Sequence, residues 1–259
     1  VNIGRVLVIA SNVFREVIRD RILYLLGFFG IALLLANLLL PEVAASTEDK
    51  MLLDVGLGAM GIAGLVVAVF VGTGLVNKEI EKRTVYVLTA KPLTPAEFIV
   101  GKHVGLSVVL GIMVAIMTAV YVAVLALNAI AFPVESLLLA VVFLFLELSL
   151  ITAIAILFGV FTSSLLAVFL TFAVYLMGHL SRDLVLLTEL SESPNIQRIT
   201  DSMYLVLPDL SRLDLKNVAV YGMDLLPSPL ELVGNAGYGL LYIVLALAIA
   251  TMVFARREF

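Results

Sequence analysis

The sequence predicts an all-α polytopic membrane protein: six transmembrane helices, an amphipathic surface helix before the first, and a short capped helix between the second and third. Three observations predict it. Of 259 residues, 62% are hydrophobic and 14% charged, against roughly 45 to 50% and about 25% in soluble domains. Apolar runs of about span length recur six times, and the cations gather on alternate connections between them. Six spans of about 20 residues use roughly 120 residues, so one membrane domain, 1–259, fits and a separate catalytic domain hardly does. A net charge of -4 gives no reason to propose a nucleic-acid partner. The chain has no cysteine, which excludes disulfides, zinc-thiolate sites and thiol catalysis.

Within the first segment, 1–20, Ile3, Val6, Ala10, Val13 and Val17 recur at helical spacing, while Arg5, Asn12, Arg15, Glu16 and Arg19 fall largely on other faces. That pattern predicts a helix lying on the membrane surface, its arginines toward anionic lipid headgroups. The spans follow at about 23–40, 55–76, 104–127, 137–160, 165–180 and 236–255. Val43-Ala44-Ala45 resembles a signal cleavage site, but the run before it exceeds the roughly 7 to 15 residues of a signal core. Thr162-Ser163-Ser164 predicts a tight turn between spans four and five, a single kinked helix being the other reading. With the N-terminus inside, inner segments hold eleven Lys and Arg and outer segments five. This favours both termini in the cytoplasm of a multi-pass inner (plasma) membrane protein.

The most informative stretch is 77–103. Thr94 can cap a helix, Pro95 suits its first position, and Glu97 completes a T-x-x-E capping box. Upstream, Lys78-Glu79-Ile80-Glu81-Lys82-Arg83 alternates in sign like a solvated extension of the second span. A short capped helix here could dock on a soluble partner or simply turn the chain.

Glu81-Lys82-Arg83-Thr84, then Pro92-Leu93-Thr94-Pro95-Ala96-Glu97-Phe98, then Gly101-Lys102, resemble the signature of the ATP-binding-cassette (ABC) type-2 permease family. The resemblance extends to the surface helix, the six spans, the long connection before the last span, and Phe254, Arg256, Arg257 and Phe259 near the C-terminus. Thr84 lacks the usual preceding glycine, and Pro95 replaces a commonly basic residue. The resemblance implies an ABC transporter permease, in which two copies of the chain, or the chain and a related permease, form the pathway. Two copies of a separate ATP-binding subunit would supply hydrolysis, with ATP and magnesium there. It implies that Glu79, Glu81, Arg83 and Thr84 contact that ATPase, and that Thr94, Pro95, Glu97 and Phe98 form the cytoplasmic coupling helix. The chain has no G-x-x-x-x-G-K-[ST] loop and hence no cofactor of its own on this reading.

Inside the membrane, Glu147 stands mid-span, where an isolated carboxylate is expensive. It is a candidate for substrate passage or gating. The plainer reading is interhelical glue, a neutral Glu bonding to Ser149, Thr152 or a neighbouring helix. Gly64, Ala68 and Gly72 recur every fourth residue on the second span, a stripe that permits close helix packing. By the resemblance, spans two and five tend to line the path between protomers, and Ser163, Ser164 and Thr171 give span five a polar side. His103 and His179 are expected at opposite ends of their spans, too far apart to share a metal. The external segment 181–235 has apolar patches at 184–187 and 203–207, expected to form short helices, and Ser228-Pro229-Leu230-Glu231 repeats the cap pattern before the last helix. An exporter permease is therefore the leading reading, not an enzyme. The alternatives are an intramembrane lipid-modifying enzyme or protease using Glu147 with a histidine, against which the ionisable residues are expected at three depths, and a non-transporting membrane anchor.

Overall fold

The computed structural model describes residues 2–19, 22–43, 48–81, 93–189 and 207–256. Among these, every regular element is helical: α1 (Ile3–Arg19), α2 (Ile22–Val43), α3 (Glu48–Glu81), α4 (Pro95–Leu127), α5 (Val134–Phe161), α6 (Ser164–Glu189) and α7 (Pro229–Arg256). Three single turns, Leu210–Arg212, Lys216–Ala219 and Met223–Leu225, lie between α6 and α7. Four described helices are long and apolar enough to cross a membrane, α3, α4, α5 and α7, with a fifth if α1 and α2 act as one bent span. The apolar part of α6, Ser164–Leu180, is shorter. The protein is all-α and largely membrane-spanning.

The core sits on α5, which packs against α3, α4, α6 and α7. Its side chains are buried in every direction from Leu148 to Ile156, as expected of a helix that is apolar all round. The Gly64, Ala68, Gly72 stripe of α3 faces it. Gly64 receives Leu148, Ala68 is fully buried, and a Cβ on Gly72 would come within 2.9 Å of the Ala155 Cβ. The stripe thus lets α3 approach α5 closely within the chain. The opposite extreme is α2, where Phe29 and Leu33 are buried while Tyr24, Phe28, Ile31, Leu34, Leu38 and Leu39 are exposed.

Helix α1 buries Val6, Ala10, Val13 and Val17 along α4. Two glycines make this possible: a Cβ on Gly105 would meet the Ala10 carbonyl at 2.8 Å, and one on Gly101 the Ile9 Cβ at 2.8 Å. The apolar stripe of α1 is thus taken by protein. Ile3 and Leu7 stay exposed on a neighbouring facet, and Ser11, Asn12, Arg15, Glu16 and Arg19 on the polar one.

The turn after α5 resolves into separate helices, since Phe161 ends one and Ser164 begins the next. Asn77 at the end of α3 secures it, its Nδ2 donating to the Thr162 carbonyl at 2.5 Å. The last helix starts at the expected cap: Glu231 Oε2 accepts from Ser228 N at 2.8 Å, and Ser228 Oγ accepts from Glu231 N at 3.4 Å.

Candidate functional site

Two constellations stand out, one at the end of the bundle that carries α1 and one midway along α5. At the α1 end, Thr94 is extended, with φ -85° and ψ 151°, and its side chain accepts from Glu97 N at 3.2 Å. Glu97 Oε2 accepts from Thr94 N at 3.0 Å, and Pro95 takes the first helical position. The expected capping box is therefore present. It opens the whole of α4, however, and Pro95 to Leu127 runs on as one helix. The short separate coupling helix expected at 94–98 is the first turn of the long helix, because no residue after the cap breaks the backbone ladder.

Glu97 does a second thing the spacing did not reveal. Its Oε1 accepts from Asn2 N at 2.8 Å, and Arg5 approaches its Oε2 at 3.5 Å. Asn2 is itself the N-cap of α1, its Oδ1 accepting from Gly4 N at 3.0 Å. One carboxylate, 2% exposed, thus joins the N-termini of two helices, where the dipoles of both favour a negative charge.

Phe98, which the resemblance assigns to the coupling helix, is 3% exposed and stacks on Phe254 with ring centroids 5.2 Å apart. Its apolar ring is turned into the bundle, and Lys102 Nζ lies 5.5 Å from its centroid. Lys102 also pairs with Glu79, tying α4 to α3. Glu81 is the last residue of α3. Arg83 and Thr84 lie outside the described residues, as do Arg257 and Phe259.

Midway along α5, Glu147 is 1% exposed and faces protein. Its Oε2 lies 3.2 Å from Lys216 Nζ and its Oε1 3.3 Å from His179 Nε2. Asp214 closes the ring, 3.3 Å from Lys216 Nζ and 3.6 Å from His179 Nε2. His179 Nδ1 sits 3.0 Å from the Tyr175 carbonyl, which orients the imidazole. Its Nε2 makes ion-pair contacts without an aligned hydrogen bond. Burial pushes the Asp214 carboxyl up, but the adjoining His179 imidazole and the Lys216 ammonium outweigh it and hold the group at about 2. For Lys216, burial acts downward and the Glu147 and Asp214 carboxylates raise it further than burial lowers it.

These partners correct two expectations. Ser149 and Thr152 are not what Glu147 bonds to: Ser149 meets Ser107 at 3.2 Å and His103 at 3.4 Å, and Thr152 donates to the Leu148 carbonyl in its own helix. Glu147 and His179, expected at different depths, are neighbours. The reason is the hairpin. Glu147 lies 14 residues before the end of α5 and His179 lies 15 after the start of α6, so at 1.5 Å per residue both stand about 21 to 22 Å from the turn. Counting outward from Thr162-Ser163 would have paired them. Lys216 and Asp214 had no such signal, being far along the chain in a connection of irregular structure.

Thr171 is fully buried, but its hydroxyl donates to the Ala167 carbonyl at 2.7 Å within α6. Ser163 is exposed and Ser164 half-buried at the turn. Among the described residues no group of three or more His, Cys, Asp or Glu could hold a metal.

The sequence profile described as ABC-2 family transporter protein matches residues 7–259. The chain belongs to the ABC-2 transporter family. The match covers the ring around Glu147 and the Thr94–Glu97 cap of this ABC-2 protein, while Asn2 and Arg5 precede it. A comparison with curated proteins gives no match. As a member of a transporter family, the ABC-2 chain is a permease-type membrane protein rather than an enzyme.

Proposed function

We infer that this ABC-2 chain is the transmembrane subunit of an ABC exporter, in which separate ATPase subunits, two per complex, drive alternating access across a pathway built by two permeases. The observation that carries the reading is the Glu97 clasp. It fastens the surface helix α1 to the start of α4 at the end where 82–92 emerges, the stretch with the family-like signature. A push received there reaches two helices at once, and α4 carries it through the membrane without a break. On this reading α2 and α6 are also spans, making six, and the α1 end faces the cytoplasm, as the eleven-to-five division of cations supports.

Because Phe98 is turned inward, the surface offered to the ATPase is formed by exposed groups of this end, among them Thr94, Arg15, Glu16, Arg19 and Lys78. Their mixed charge suits a polar, exchangeable interface better than a greasy one. The tagged chain, purified from its native membrane, should bring down a subunit carrying a phosphate-binding loop, and the complex should hydrolyse MgATP. A chain that purifies without any such subunit, and shows no MgATP-dependent substrate movement in vesicles, would leave only the anchor reading.

Topology has its own test in this cysteine-free background. Single cysteines at Arg15 and Met223, both exposed, should differ in intact cells: an impermeant maleimide is expected to label Met223→Cys and spare Arg15→Cys. The reverse pattern inverts the protein in the membrane.

A further inference from the structure

We propose that Lys216 is a release pin: segment 207–226 stays docked on the bundle because its lysine is inserted between Glu147 and Asp214, and transport requires the pin to withdraw. Only the withdrawal step rests on the permease reading above.

The segment has two kinds of anchor. One is apolar, a row of fully or almost fully buried side chains, Leu210, Leu213, Leu215, Ala219 and Val220. Leu210 lies against α6 at Gly178, where a Cβ would come within 2.7 Å of the Pro208 carbonyl, and Leu213 against α7 at Gly239. The other is polar. Ser136 Oγ donates to the Ala219 carbonyl at 2.6 Å, Asp209 N donates to the Tyr238 hydroxyl at 2.7 Å, and Lys216 reaches Glu147 past Gly61 of α3. An apolar row slides or lifts at a cost that grows smoothly with exposed area. The pin differs, because it is all or none.

With Lys216 withdrawn, Glu147 would be left in a low-dielectric interior with only His179 beside it. With Lys216 in place, two carboxylates, a lysine and an imidazole form a closed ring. Buried pairs of this kind contribute little net stability over apolar packing, yet are costly to break one-sidedly. That is the property of a two-position device. It holds the segment in one docked state and resists partial opening. Asp214, two residues from Lys216, leaves with it, so release separates the ring into two pairs, Lys216 with Asp214 and Glu147 with His179. The withdrawn lysine keeps a partner, which lowers the cost of the open state relative to withdrawing a bare lysine.

The test reads exposure of the segment directly. Val220, 5% exposed, is replaced by cysteine in the cysteine-free chain, and the purified complex in nanodiscs is reacted with a maleimide that does not enter membranes. Labelling should be slow in Val220→Cys alone. It should be faster by about tenfold or more when Lys216→Gln is added, since one side of a buried pair is then missing. Ser107→Cys, buried between α4 and α5, is the control for global loosening and should stay slow throughout. If Val220→Cys remains slow with Lys216→Gln while Ser107→Cys is also slow, the apolar row holds the segment unaided and the pin is refuted. If Ser107→Cys speeds up too, Lys216→Arg decides: slow labelling of Val220→Cys supports the pin, fast labelling overturns it. MgATP added to the ATPase-loaded complex should raise Val220→Cys labelling toward the Lys216→Gln rate. A Lys216→Gln response without any MgATP response would refute withdrawal during transport and leave docking by the pin intact.

Discussion

Replacing Glu147 by Leu is expected to destabilise the folded protein by about 3 to 5 kcal/mol, because Lys216 and His179 would lose their buried partner and share the single carboxylate of Asp214. Glu147 is 1% exposed and Lys216 Nζ stands 3.2 Å from it, so solvent cannot take over the lost pairing. The double replacement Glu147→Leu with Lys216→Met should recover much of that loss, since removing both partners of a buried pair is often nearly neutral. Thermal unfolding of the purified chain in detergent measures both. Equal stability of Glu147→Leu and the parent would mean that the ion pair is solvated in the protein. A double variant no better than the single would mean that Glu147 is needed for something other than Lys216.

Glu97→Ala is expected to be worse than Thr94→Ala, although both remove half of the same capping box. Thr94 supplies one bond to α4, and losing such a cap costs about 0.5 to 2 kcal/mol. Glu97 accepts from both Thr94 N and Asn2 N, so its removal leaves the N–H groups of two N-cap residues without their acceptor, for about 1 to 4 kcal/mol. The Arg5 contact adds little, because Arg5 is 41% exposed and exposed pairs are weak. Hydrogen exchange over residues 3–10 should accelerate in Glu97→Ala and stay near normal in Thr94→Ala. MgATP-driven transport should fall in both, more in Glu97→Ala, and the double variant should be less than additive because one structural unit is lost. If α1 exchanges equally slowly in all three, the clasp does not hold the two helices together.

Comparison of the two constellations shows where one-dimensional reading stops. The capping box was legible because its members are three residues apart and cap geometry is local. Its second role was not, since Asn2 and Glu97 are 95 positions apart. The motif places Phe98 in the coupling helix, but a side chain's direction at the first turn of a helix depends on where neighbouring helices lie. Here α7 brings Phe254 over it.

By itself, the sequence determined that the chain is an all-helical membrane protein of the ABC-2 kind, where its two capped helices begin, after Thr94 and Ser228, and which small residues of the second span could permit close approach. Those follow from apolar run length, cap chemistry and side-chain volume, all properties of neighbouring residues. Only the tertiary structure decided that α1 lies in the Gly101 and Gly105 groove of α4, that the α3 stripe serves α5, and that Glu147 meets His179, Asp214 and Lys216. A buried charge must find a counter-charge wherever the fold can supply one. In this chain the nearest is 32 positions along the chain, across a hairpin, and the next 69 positions away on an irregular connection, and neither periodicity nor composition carries information over that distance.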